Sequence, residues 1–277
     1  MHGLHFVTGK GGVGTSTIAA AIAITAAARG ARTLAIELGQ PGGLSRMLRG
    51  HAAITIDCYE GAAALAEYLA RKVRLGRLVR AVTQHPLYDA FVGAAPGLRE
   101  LMAIGKIRDA FVLQDRWDVV VVDAGASGHA LEHLRMPAAA EDAFDGGRVH
   151  REAAVNAALL RDRARVAIHV VATPEEMPLR EAAQTIGALR ALDLATGALF
   201  ANQCAVPPPP GVDDAIARIS DPLVAAPLRA ARSWAWIQEE GLAAVERELG
   251  VIAVRLPKIR GADPARALAP IVAEAVC

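Results

Sequence analysis

Nine residues near the start of the chain, Gly9-Lys10-Gly11-Gly12-Val13-Gly14-Thr15-Ser16-Thr17, leave little freedom in how it folds. A short apolar run, Leu4 to Thr8, leads into them, and helix-forming residues from about Ser16 to Arg29 follow at once. Thr33 to Ile36 then reads as a second strand, closed by Gly39-Gln40-Pro41-Gly42-Gly43. Strand, glycine turn, helix and strand in that order form a βαβ unit, which implies a parallel sheet with right-handed crossovers. The fold class expected is therefore α/β, a parallel sheet flanked by helices.

The rest of the chain supplies more strands for that sheet. Asp118 to Asp123 encloses four consecutive valines, and Val166–Ala172, Gly197–Ala201 and Val251–Leu256 are similarly apolar. Such runs suit strands buried on both faces. Residues 61–111 read mainly as helix, with breaks near Pro86 and at 93–97. We expect one domain over residues 1–277, with a mainly helical region at about 58–114 and a short helical insertion at about 138–165. Pro207 to Pro210 is either a ligand for a partner domain or a stiff surface loop.

Composition excludes several classes. Hydrophobic residues make up 53% and charged residues 21%, which argues for a folded chain. The longest apolar stretch, Ile18 to Ala28, is too short to span a bilayer and follows a glycine loop rather than a basic segment. A cytoplasmic protein without an integral membrane segment is expected. A formal charge of +1 offers nothing to a polyanion, so no nucleic acid partner is expected. Cys58, Cys204 and Cys277 lie far apart with no CxxC pair, which suggests neither a disulfide framework nor a zinc site.

The glycine loop carries the chemistry. Glycines let backbone N–H groups converge on phosphate oxygens, and the following helix adds the positive end of its dipole. Ser16 stands where a hydroxyl would bind Mg²⁺. The usual pattern, G-x-x-x-x-G-K-[ST], has lysine where this chain has Thr15. That lysine neutralises charge on the β and γ phosphates. Its loss costs a few kcal/mol, enough to turn micromolar binding into millimolar binding. Of the four lysines, Lys10, Lys72, Lys106 and Lys258, only Lys10 lies in the loop.

Lys10 to Thr17 resembles the deviant phosphate loop of ParA, MinD, nitrogenase iron protein and ArsA-type ATPases, and hence a P-loop NTPase fold of the SIMIBI type. Residues Asp118 to Pro137, DVVVVDAGASGHALEHLRMP, closely resemble the ArsA signature, with Asp123, Ser127, Gly128 and His129 matching and Ala126 replacing a proline. APGLREL (95–101), ATPEEMPLREA (172–182), FANQC (200–204) and VRLPKIRG (254–261) are also ArsA-like, so the resemblance runs through nearly the whole chain.

The resemblance implies the following. Gly11, Gly12, Val13, Gly14, Thr15, Ser16 and Thr17 would cradle ATP or ADP. Ser16 and Asp123 would hold Mg²⁺. Asn202 would recognise adenine, and Pro257 lies in the segment that closes over the base. Lys10 would act catalytically, reaching a partner's nucleotide across a face-to-face dimer. That dimer is either a homodimer or a heterodimer with an intact ArsA-like paralogue. For Asp123 a helix cap, and for Asn202 a buried loop tie, are the structural alternatives.

Three departures temper this. Gly39 falls where family members carry the Asp that positions the attacking water; Glu37 or Gln40 would have to serve from a different place. The CxxC that links some relatives through zinc is absent. The stretch after Pro137 is polar and lacks methionine, so no groove for a transmembrane client is encoded there. We therefore expect a degenerate ATPase subunit that binds adenine nucleotide but hydrolyses it poorly alone. The rivals are a competent ATPase in which Lys10 compensates for Thr15, and a nucleotide-free scaffold that localises a partner.

His129 and His133 stand at i, i+4, as either a metal pair or a solvated helix face. Trp234 and Trp236, two apart, either anchor a surface or fill the core. The client protein and pathway are not encoded in any motif.

Overall fold

The computed structural model of the protein describes residues 3–39, 41–59, 97–113, 116–206 and 208–276. Most of the helical region expected at 58–114, together with Pro86, Gln40, Pro207 and Cys277, lies outside the described residues.

Among the described residues, seven strands form one sheet: β1 Gly3–Gly9, β2 Thr33–Leu38, β3 Ile54–Tyr59, β4 Val119–Ala126, β5 Val166–Ala172, β6 Thr196–Cys204 and β7 Val254–Pro257. Their spatial order is β3-β2-β4-β1-β5-β6-β7. Every pairing is parallel. This is the α/β arrangement of P-loop NTPases expected from sequence. The central strand, β1, is buried along its entire length. That explains why it reads as a continuous apolar run rather than an alternating one.

The described helices are α1 Thr15–Ala28, α2 Gly43–Met47, α3 Leu98–Arg108, α4 Ser127–Ala143, α5 Gly147–Arg161, α6 Glu176–Ala191, α7 Val212–Ala217, α8 Pro222–Leu249 and α9 Pro264–Val276. A π-helical turn, Asp109–Leu113, extends α3. One sheet face, carrying Val7, Ala35, Val121 and Phe200, packs on Ile18 and Ile22 of α1 and on Leu268 and Val272 of α9. The other face, carrying Leu4, Phe6, Ile36 and Val122, meets Ile104 of α3, Leu134 of α4, Leu160 of α5, Ile186 of α6 and Leu242 of α8. The alanines of α1 let it lie close to the sheet, and the run Ile18 to Ala23 is wholly buried.

Several elements differ from the sequence reading. The stretch at about 138–165, read as a short helical insertion, holds α5, while α4 enters it from Ser127 and runs through Pro137. β3 and α2 are additions; so is α8, started by the Asp221 carboxylate accepting from the Leu223 N–H and stopped by left-handed Gly250. Trp234 and Trp236 lie on α8 and are 51% and 57% exposed, so neither fills the core.

Chain order reverses between β4 and β1. The helix after β1 covers one face and the helix after β4 covers the other, which opens a crevice at the carboxyl ends of these two neighbours. Such switch points are where open α/β sheets bind ligands.

Candidate functional site

The loop between β1 and α1 lies at that crevice. Gly12 and Gly14 have φ of +89° and +99°, the left-handed region that glycine adopts freely. Two glycines also have no room for a side chain. A Cβ on Gly9 would come within 2.2 Å of the Val171 carbonyl, and one on Gly14 within 2.3 Å of Asn202 Nδ2. Above Gly11 and Gly12 there is open space, with no atom within 4 Å of an added Cβ. Gly14, the residue before α1, offers no side-chain cap, so the first amides of α1 remain available to an anion. Thr15, Ser16 and Thr17 are half-buried on that first turn.

Asn202 is buried, and its Nδ2 donates to the Val13 carbonyl at 2.8 Å. The loop tie weighed from sequence is thus present, and it fixes the loop to the end of β6. Pro257 ends β7 opposite Cys204, where the Lys258 N–H donates to the Cys204 carbonyl at 3.1 Å. Asn202 and Pro257 therefore stand at the same edge of the sheet as the loop.

Asp123 and Glu37 are paired in register across β4 and β2. Asp123 is buried, and its carboxylate takes hydrogen bonds from the Ser16 hydroxyl and from the Gly125 N–H, the latter at 3.2 Å. Burial raises its pKa above the usual carboxylate range; the two hydrogen bonds oppose this and the nearby Glu37 charge adds to it. A hydroxyl and a carboxylate side by side form the hard oxygen set that a magnesium ion takes. Asp123 is not a helix cap, because α4 starts four residues later.

Glu37 does not act as a free carboxylate. Its Oε2 accepts from the Gly42 N–H at 2.8 Å, the Ser45 hydroxyl at 2.7 Å and the Ser45 N–H at 3.3 Å, while Oε1 accepts from the Leu44 N–H at 3.3 Å. Burial pushes its pKa up, but these donors outweigh it and hold the group below its ordinary value. Glu37 thus secures the start of α2, whose Gly43 packs so closely that a Cβ would sit 2.6 Å from Ser16 Oγ. Gly39 turns the chain with φ +104° and has empty space around it. The other water-positioning candidate, Gln40, lies outside the described residues.

Lys10 is drawn to a residue the sequence reading assigned no role. Its Nζ is 3.1 Å from Glu181 Oε2 on α6. The other carboxylate oxygen of Glu181 accepts from the hydroxyl of Ser127, the first residue of α4. The Ser127 hydroxyl, working against partial desolvation and aided by Lys10, holds Glu181 below the usual carboxylate range. The Thr8 hydroxyl donates to the Gly125 carbonyl at 3.0 Å, tying β1 to the turn after β4. Glu181 lies within the family-like stretch 172–182, which was the available signal. Gln203, at φ +61° beside Asn202, gave no signal in sequence.

His129 and His133 do not converge. The His129 side chain is 82% exposed beside Glu132, and His133 Nδ1 meets the His129 carbonyl at 2.8 Å. Among the described residues no group of three or more His, Cys, Asp or Glu could hold a metal ion.

Comparison with known proteins agrees with this geometry. The family model described as anion-transporting ATPase matches residues 2–45, the β1–loop–α1–β2 unit. ATPase BagA of Mycobacterium tuberculosis (strain ATCC 25618 / H37Rv) is 33% identical over 223 residues, covering 72% of this chain and 64% of that protein. The chain is similar to ArsA-like ATPases. Protein Rv2184c of the same strain is 28% identical over 246 residues, covering 72% of the ArsA-like chain and 58% of the relative. The ArsA-like chain thus spans less than two thirds of the length of either relative. Among its described residues, no helix is long and apolar enough to cross a membrane.

Proposed function

We propose that this chain is a degenerate ArsA-like subunit that binds adenine nucleotide with Mg²⁺ at a face-to-face interface and hydrolyses it poorly alone. The observation that carries this reading is a preserved phosphate cradle without its central cation. Gly9, Gly12 and Gly14 keep the loop geometry, and Ser16 with Asp123 keeps an oxygen pair for Mg²⁺. Thr15 stands in place of the lysine. Mg²⁺ held there would neutralise phosphate charge and orient the nucleotide.

Hydrolysis also needs a group to position water. Gly39 carries no side chain, and Glu37 is committed to the start of α2. Lys10 is paired with Glu181 of its own chain, which speaks against its serving as a substitute at its own phosphates. The partner would be a second copy or an intact paralogue, to which this subunit lends Lys10. A partner surface would also exclude water from phosphates at an open sheet edge.

Isothermal titration with Mg²⁺–ATP and Mg²⁺–ADP, beside Thr15→Lys, tests the reading. Native binding that is measurable but weaker than that of Thr15→Lys, with turnover that stays near background until a paralogue is added, is the expected result. Binding by Thr15→Lys alone would favour the scaffold. Brisk turnover by the native chain alone, abolished by Lys10→Ala, would overturn the proposal in favour of a competent ATPase.

A further inference from the structure

At the edge of the sheet opposite the phosphate loop, where the strands begin, several segments close around a cavity of about 240 Å³. Its walls include Gly3 at the start of β1, Arg32 before β2, Asp118 before β4, Arg165 before β5, and the rings of Phe111 and Trp117. Backbone bonds lash these segments together. The Gly3 N–H donates to the Asp118 carbonyl at 3.1 Å, and the Leu4 N–H donates to the Arg165 carbonyl at 2.8 Å. The Arg32 guanidinium donates to the Asp118 carboxylate at 2.7 and 3.1 Å, so these two charges are committed to each other. Arg165 is different. Its guanidinium lies 5.1 Å from the centre of the Phe111 ring, and among the described residues no carboxylate pairs with it. Phe111 belongs to the π-helical turn, a distortion that is rare and frequent at functional sites. Beside Gly3 lies a second donor. The Ala198 N–H fixes the His169 proton on Nε2, which is given to His5 Nδ1, so His5 carries its own proton on Nε2. His5 is 7% exposed, and that nitrogen has no partner among the described residues. A Cβ on Gly3 would sit 3.5 Å from it, so the space left by the missing side chain of this wall residue adjoins the unpartnered N–H.

We propose that this cavity is a second ligand site, which binds a small organic monocarboxylate with an apolar body through Arg165 and His5 Nε2. The donor set selects the ligand. One uncommitted guanidinium and one neutral N–H offer a single positive charge, which matches a monoanion better than a phosphate dianion. A buried N–H without an acceptor is costly, and a carboxylate oxygen in the space beside Gly3 relieves that cost. The Phe111 and Trp117 rings give the remainder of the ligand an apolar wall. A cavity of this size suits a small acid and falls below the range of drug-sized ligands. The site lies where the strands begin and the phosphate loop where they end, so it does not rest on the nucleotide reading.

Benzoate is the probe, titrated into ¹⁵N-labelled protein while the His5 ring nitrogens are followed by NMR, with the ring assigned through its own backbone. Benzyl alcohol and inorganic phosphate serve as comparison ligands. Arg165 is exposed, so Arg165→Gln removes the charge without touching the core. Benzoate should bind saturably and move the His5 Nε2 resonance. Its affinity should fall about tenfold in Arg165→Gln, and benzyl alcohol should bind the native protein weaker by a similar factor. The absence of saturable benzoate binding, equal affinity in Arg165→Gln, or a His5 Nε2 resonance unmoved at saturation would each overturn the site. Tighter binding of phosphate than of benzoate would overturn the monocarboxylate assignment.

Discussion

Asn202 illustrates how one side chain can carry two meanings. The family resemblance casts its amide as a reader of adenine, yet Nδ2 is already committed to the Val13 carbonyl inside the loop. The two roles are separable because they use different atoms and leave different traces. Removing the amide strands a buried carbonyl, which costs about 1–3 kcal/mol. Asn202→Ala should therefore lose about that much stability in urea unfolding without any nucleotide present. Asn202→Asp keeps the shape but loses the donor, and should lose a similar amount. Unchanged unfolding in both would mean that the loop does not depend on this bond and that Asn202 serves only a ligand. The same residue sets the limit at Gly14, where its Nδ2 leaves no space for a Cβ.

At the scale of elements, Glu37 is the instructive case, because its carboxylate gathers the backbone donors at the start of α2. Four hydrogen bonds from α2 and the turn before it end on this carboxylate. Its pKa is lowered in the folded chain, so its contribution is present above the unfolded value and is lost as pH falls through the folded one. Glu37→Ala should cost about 1–2 kcal/mol at neutral pH, in line with the loss of a helix cap. Below the folded pKa the variant and the native chain should converge, and thermal unfolding followed across pH measures the gap. A gap that persists in acid would show that packing, and not the charged cap, is what Glu37 provides.

The element scale also shows what was legible in sequence. β1, β2, β4 and β5 were legible because a strand buried on both faces leaves a continuous apolar run, and glycines marked the first crossover. β3 was not, since it is an edge strand in which exposed Thr55 and Asp57 and partly buried Cys58 interrupt the apolar residues. Pro137 sits buried inside α4, although proline lacks an N–H and usually ends a helix. In the site, loop residues were readable because backbone geometry demands glycine at fixed spacing. Glu181 was not readable as a partner of Lys10, because 171 residues separate them and only the packing of α6 brings them together.

At the scale of the whole molecule, the centre of the sheet carries a polar pair that the nucleotide chemistry does not use. His5 on β1 and His169 on β5 stack with ring centroids 5.4 Å apart, and His5 Nδ1 lies 3.1 Å from His169 Nε2. The Ala198 N–H donates to His169 Nδ1 at 3.0 Å, so the proton of neutral His169 sits on Nε2 and is given to His5 Nδ1. That leaves the His5 proton on Nε2, which is buried without a partner among the described residues. Every hydrogen bond in this chain requires neutral rings. Burial, with a smaller contribution from the N-terminal charge, lowers the His5 pKa to about 4, and burial, with a smaller contribution from His5, lowers that of His169 to about 3. The unfolded chain takes up these protons near pH 6.5, so between pH 6.5 and about 4 it binds more protons than the folded one. Stability must therefore fall as pH drops through that window, by up to about 1.4 kcal/mol per pH unit for each histidine. His5→Leu removes one of the two titrating groups and should roughly halve this slope in urea titrations, whatever it does to stability at neutral pH. An unchanged slope would place the acid sensitivity outside the sheet. A halved one would show that the whole fold, rather than its nucleotide edge, is tied to a neutral histidine pair.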